Sequence, residues 1–188
     1  MKKIAYLVVA TIFLNSCATT KIIPLKGVYA EMPIEIKSNL SFDAVWDKLI
    51  DLFAQKGLAI KIIDRSSGLI ISDRSLLKTT TEDSKGKIDD PTAWIVVPKQ
   101  KNPSTGREEP ISGTSSGVYA KKMIPNDVIG DWNVRIKKLD DGKTSINVNI
   151  VNVRYEDIAP GSGYKKEFNL YGYKSTGVFE NLITNTIK

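Results

Sequence analysis

From Asn39 to Gly57 the chain reads NLSFDAVWDKLIDLFAQKG. Apolar residues fall at Phe42, Val45, Trp46, Leu49, Leu52 and Phe53, the spacing of one helical face. Ser41 suits the N-cap, Asp43 the electropositive first turn, and Leu40 with Val45 a hydrophobic staple, while Gly57 supplies a left-handed stop. The period then shortens to two. Leu58–Asp64 and Leu69–Ser72 read as strands joined by Arg65-Ser66-Ser67-Gly68, a link ending in glycine that suits a hairpin. A second hairpin runs from Asp131 to Ile136, turns at Asp140-Asp141-Gly142 and returns through Thr144–Ile150. Trp132, Val134 and Ile136 alternate with polar residues, as do Ile146, Val148 and Ile150, so one face is buried and the other wet. Val151 and Val153 shift parity, which predicts a bulge near Ile150–Val151. KSTGVFENLITNTIK reads as a closing helix with Val178, Phe179, Leu182, Ile183 and Ile187 on one face.

Residues 76–130 break this regularity. They carry five of the eight prolines and most of the Ser/Thr/Gly clusters, and only Trp94–Val97 and Val118-Tyr119 look like strands. The expected organisation is one α+β domain over 34–188, an antiparallel sheet packed by an N-terminal amphipathic helix and a C-terminal helix, with a Pro/Gly/Ser-rich insertion at about 76–130. Residues 17–33, punctuated by Pro24, Gly27 and Pro33, read as a tether.

The first twenty residues have the layout of a secretory signal: Lys2 and Lys3, an uncharged apolar run from Ile4 to Leu14, then Asn15-Ser16-Cys17. Eleven residues make about 16 Å of helix, too short to span a bilayer. Leu14-Asn15-Ser16-Cys17 resembles the lipobox of bacterial lipoproteins. That resemblance implies a signal peptide over 1–16, cleavage before Cys17, and lipid on the thiol and new amine of Cys17. Acyl chains contribute about 0.8 kcal/mol per buried methylene, and more than one chain anchors stably. Ala18 rather than an acidic residue follows the cysteine, which in lipoprotein sorting looks like delivery to the outer membrane, facing the periplasm.

Removing residues 1–16 takes two lysines and no acid from a net charge of +6, leaving +4. No dense Lys/Arg stripe of a nucleic-acid binder is present. A 41% hydrophobic composition fills one core, and the single cysteine has no disulfide partner. Histidine is absent, which excludes Ser-His-Asp and Cys-His catalysis and the usual catalytic zinc site. No pattern calls for a cofactor or a metal, and no catalytic residue is nominated. Asp89-Asp90 and Glu108-Glu109 are paired carboxylates in polar loops, read as solvated. Lys121-Lys122, Lys137-Lys138 and Lys165-Lys166 are read as wet turns or strand faces.

A strand, a helix, antiparallel strands and a closing helix follow the plan of the helix-grip class. Val45, Trp46, Leu49, Leu52, Gly57, Ile60, Ile62, Asp64, Gly68 and Ile70 resemble the core positions of the BamC family, lipoproteins of the outer-membrane β-barrel assembly machinery. That family carries two such domains, and this chain has room for one. The resemblance implies a lipid-anchored, non-enzymatic binding or scaffold module with an envelope protein partner; the alternative is a lipid or small apolar ligand in a helix-grip groove. Trp94, Tyr164, Tyr171 and Tyr173, aromatic residues near lysines or in the loop-rich region, are the candidate interaction surface. Oligomeric state is not indicated.

Overall fold

The computed structural model describes residues 21–102, 105–110, 128–158 and 165–188. In chain order it contains β1 (Lys21–Ile23), β2 (Ile34–Ser38), α1 (Phe42–Gln55), β3 (Ile60–Asp64), β4 (Leu69–Ser72), β5 (Ser75–Leu76), β6 (Thr79–Thr80), β7 (Ile95–Val96), β8 (Lys99–Lys101) and β9 (Glu108–Pro110). There follow β10 (Val128–Lys138), β11 (Thr144–Ile158), β12 (Lys165–Asn169), β13 (Lys174–Ser175) and α2 (Val178–Thr186). Among the described residues the architecture is α+β, with mostly antiparallel sheets and two helices.

Helix α1 forms where its sequence signals place it. The Ser41 hydroxyl accepts from the Ala44 amide at 3.3 Å, and Gly57 at φ +65° ends the helix, with its amide on the Ala54 carbonyl. Val45, Trp46, Leu49, Leu52 and Phe53 are buried, each burial contributing about 1.5–3 kcal/mol gross, while Phe42 packs at the rim.

The main antiparallel sheet runs β12-β11-β10-β4-β3, with β2 also on β11 and β5 also on β10. Strand β11 is long enough to pair its first five residues with β2 and its last five with β12. Trp132, Val134, Ile136, Ile146, Val148 and Ile150 form the buried face that alternation requires. The predicted bulge sits one residue further on. Asp131 pairs with Val151 and Ile129 with Arg154, so β11 carries an extra residue, and Asn152 adopts φ +54°. Its amide Nδ2 donates to the buried Asp131 carboxylate at 2.8 Å, which also accepts from the Arg74 backbone amide.

The structure extends one sequence expectation and corrects another. Residues 77–101 of the expected insertion are not excluded from the core: Leu77, Ile95 and Val97 lie in it, and Ala93 and Val96 are buried as well. Strand β7 pairs with β13 and, in parallel, with β6. Trp94 packs edge-on to Trp132 at 5.8 Å and against Phe179 at 5.4 Å, while Trp132 and Phe179 stack at 3.7 Å. The short run Ala93–Val97 is apolar enough to compete for the core, and it outweighs its polar flanks.

Nor do the described residues of the expected tether, 21–33, hang free. Strand β1 pairs with β8, and the buried Glu82 carboxylate accepts from the amides of Lys26 and Gly27 and from the Tyr29 hydroxyl. These bonds favour the ionised form, and the Glu82 pKa lies below the ordinary value despite the opposing effect of burial.

Helix α2 buries Phe179 and Ile183, with Ile187 buried just beyond its end, and leaves Val178 and Leu182 half-buried. It also buries Glu180, 4% exposed, whose Oε1 accepts from the Ser175 hydroxyl at 2.7 Å and whose Oε2 has no partner among the described residues. Burial holds the Glu180 pKa above the ordinary glutamate value, against the smaller opposing effect of the Ser175 bond. The folded state therefore binds this proton more tightly. The group's contribution to stability is full below the ordinary value and is lost as pH rises through the elevated one. In urea unfolding, the stability of Glu180→Gln minus that of the wild type is expected to increase as pH is raised from 4 towards 7. A difference that stays flat or shrinks would contradict the buried carboxyl.

Candidate functional site

The β3–β4 turn builds one wall of an open depression of about 530 Å³. Asp64 organises the turn: its carboxylate accepts from the Ser66 amide at 2.9 Å and from the hydroxyls of Ser66 and Ser67 at 2.6 and 2.7 Å. The Ser66 and Ser67 hydroxyls pull the Asp64 pKa down to about 2. These bonds tie the carboxylate to the residues two and three positions on, which shapes the turn. Gly68, at φ +70°, brings the turn onto β10, where its carbonyl accepts from the Ile136 amide at 2.8 Å. A Cβ at Gly68 would lie 2.1 Å from the Ile136 carbonyl oxygen. Close backbone approach thus requires glycine here.

Among the described residues, Arg135, Lys137 and Lys138 of β10 and Arg65 of the turn are the ionisable residues lining the depression, and all are cations. Arg65 donates to Asp43 at 2.8 Å and lies over the Trp46 ring at 5.9 Å. This hydrogen bond holds the Asp43 carboxyl below its usual range. Lys138 lies over Phe42 at 5.4 Å, and Phe42 stacks on Trp46 at 6.0 Å. Arg135 and Lys137 alternate with the buried Ile136, which puts them on the opposite, wet face of the sheet. Among the described residues neither has a carboxylate partner. The arrangement suits an anionic group: two cations are fixed over aromatic rings and two remain to be neutralised.

The residues nominated from sequence differ in exposure. Trp94 is half-buried against Trp132 and Phe179. Tyr173 is half-buried and donates its hydroxyl to the Ile150 carbonyl at 3.1 Å, burial raising its pKa. Only Tyr171, 65% exposed, faces solvent among the three that are described. Tyr164 and Cys17 lie outside the described residues, as do Lys121-Lys122, Val118-Tyr119 and the signal segment.

Of the paired carboxylates, Asp89-Asp90 brace a loop, whereas Glu108-Glu109 lie in strand β9 rather than in the polar loop expected. Asp89 accepts from the Thr81 hydroxyl at 2.5 Å, and Asp90 accepts from the amide and hydroxyl of Thr92 and pairs with Lys78. The Thr92 bonds, with help from Lys78, lower the Asp90 pKa to about 2. Glu109 accepts from Asn102 at 3.3 Å. Sequence reasoning missed Arg65, Arg135 and Glu82. The turn glycine was visible, but not its contact 68 positions away. Among the described residues no group of three His, Cys, Asp or Glu side chains could hold a metal ion.

No protein-family model matches this chain, and no curated protein matches it. Fold and site together define an α+β module with an open basic depression at the end of its sheet. Gly68 tests how the depression is built. At Gly142, φ +79° with open space around it, an alanine is expected to cost about 1 kcal/mol through backbone strain alone. Gly68→Ala must also displace the turn from β10 and is expected to cost about 3 kcal/mol or more in urea unfolding. Equal losses at the two glycines would show that the turn is not pressed against β10.

Proposed function

We propose that this chain is an outer-membrane-anchored lipoprotein, held through lipid on Cys17 and facing the periplasm, that acts as a non-enzymatic binding or scaffold module of the cell envelope. Its basic depression receives an acidic segment of an envelope protein. The observation that carries the binding role is the pair Arg135 and Lys137, two exposed cations without a carboxylate partner among the described residues, beside Arg65 and Lys138 in the same depression. Placement in the envelope rests on Leu14-Asn15-Ser16-Cys17 and on the likeness to BamC-type domains. The helix-grip reading has its support in the order of elements: β2, α1, the antiparallel strands of the main sheet, then α2.

The alternative, an apolar ligand between sheet and closing helix, has an observation against it. Trp132 and Phe179, both fully buried, stack at 3.7 Å across that space, with Phe53 edge-on to Phe179 at 6.2 Å.

A photoreactive residue in place of Ser67, in cells carrying the full-length protein, reads the depression directly. The expected result is one reproducible adduct with an envelope protein. The adduct should fall about tenfold in Arg135→Glu/Lys137→Glu, weaken with added salt, and persist in Lys61→Glu. An adduct indifferent to the double charge reversal would remove the depression from the function.

A further inference from the structure

The strongest feature outside the depression is the short stretch of chain between Cys17 and strand β1. Under the expected organisation, a free tether from Cys17 to Ile34 would span 17 residue steps, a reach of about 60 Å. The structure leaves far less. Lys21, Ile22 and Ile23 pair with Lys101, Gln100 and Lys99, and the segment behind them is held by the three hydrogen bonds to Glu82. Lys26 adds a bond from its ammonium to the Ser84 carbonyl at 3.1 Å. Four residue steps separate Cys17 from Lys21, a contour of at most about 14 Å.

A compact domain of this size has a radius of gyration of about 16 Å and a still larger outer radius. The reach from a lipid on Cys17 is therefore shorter than the body it carries. We propose that the β1 edge of the small β1-β8-β9 sheet rests on the phospholipid surface, so that this side of the module is turned towards the bilayer. The proposal rests on the reading that Cys17 carries lipid.

Chain length, not charge, sets this contact. Lys21 and Lys101 are exposed and directly opposed across the strands, but β9 places Glu108 beside Lys101 and Glu109 beside Gln100. The edge is accordingly mixed in charge, and contact is expected on zwitterionic as well as anionic bilayers. Ile22, 44% exposed on the edge strand, supplies an apolar side chain at the interface.

The test has two arms. In one, protein purified from its own membranes is reconstituted in phosphatidylcholine vesicles after mass analysis of Cys17. In the other, the full chain is coupled through the thiol of Cys17, its only cysteine, to a maleimide lipid in the same vesicles. A water-soluble acylating reagent then reports on each lysine. Lys101 is the decisive residue, because 84 positions of sequence separate it from the anchor and only the fold brings it near.

Its labelling is expected to fall several-fold relative to uncoupled protein. Labelling should recover when a Gly-Ser linker of about 20 residues, adding roughly 25 Å of reach, is inserted between Thr20 and Lys21. Labelling of Lys101 at the free-protein rate in coupled vesicles would overturn the proposal. Protection that survives the long linker would also overturn it, since attraction rather than chain length would then hold the face down. An unmodified Cys17 in the native protein would instead refute the anchor reading, while the coupled arm still decides the orientation.

Discussion

The stack of Trp132 on Phe179 organises the domain. Trp132 stands at the centre of the main sheet on β10, and Phe179 lies in the first turn of α2, so their contact fixes the closing helix over the sheet. Phe53 of α1 approaches Phe179 edge-on and Trp94 closes the other side, which brings four separate stretches of chain to one cluster. Aromatic side chains bury large areas and restrict the angles at which neighbours can pack. A single cluster can therefore define the relative placement of both helices, the sheet and the segment containing β7.

That constraint propagates outward by backbone pairing. With Trp94 in place, its amide donates to the Lys78 carbonyl and its carbonyl accepts from the Thr176 amide, so β6, β7 and β13 form a second small sheet against the core. Residues 99–101 then continue as β8, and β8 offers its edge to β1. Glu82 secures the following residues through a carboxylate that would be costly to bury without partners. The N-terminal segment thus becomes part of the domain by a chain of contacts that starts at the aromatic cluster, and the reach available to an anchor at Cys17 shrinks accordingly.

Features encoded within a few residues could be read from the sequence. Ser41 caps, Gly57 stops, and the alternation through Trp132–Ile136 and Ile146–Ile150 faces the core as the period-two pattern requires. The parity change near Val151 announced a bulge; it settled on Asn152, a residue type that tolerates the left-handed region and whose amide also satisfies buried Asp131. What stayed hidden depends on distant partners. Trp94–Val97 looked like a strand, but nothing local says that Trp94 reaches Trp132 and Phe179. Glu82 resembles any loop glutamate until the amides of Lys26 and Gly27 arrive more than fifty positions away. The depression was hidden for the same reason. It exists because Gly68 lets the turn touch Ile136, and its cations come from a turn and a strand that the sequence does not link. Nor does the sequence say that Trp94 and Tyr173 are half-buried while Tyr171 is exposed.

The central claim is that residues 77–101 belong to the core and unfold with it. Equilibrium urea unfolding of Trp94→Ala, followed by both far-ultraviolet circular dichroism and the remaining tryptophan fluorescence, tests it most directly. The account requires one cooperative transition reported alike by both probes, with stability lowered by about 3 kcal/mol, as for the loss of a large aromatic side chain from a packed site. Unchanged stability, or a separate early transition confined to one probe, would show that the segment is an independent excursion and that the cluster does not hold the domain together.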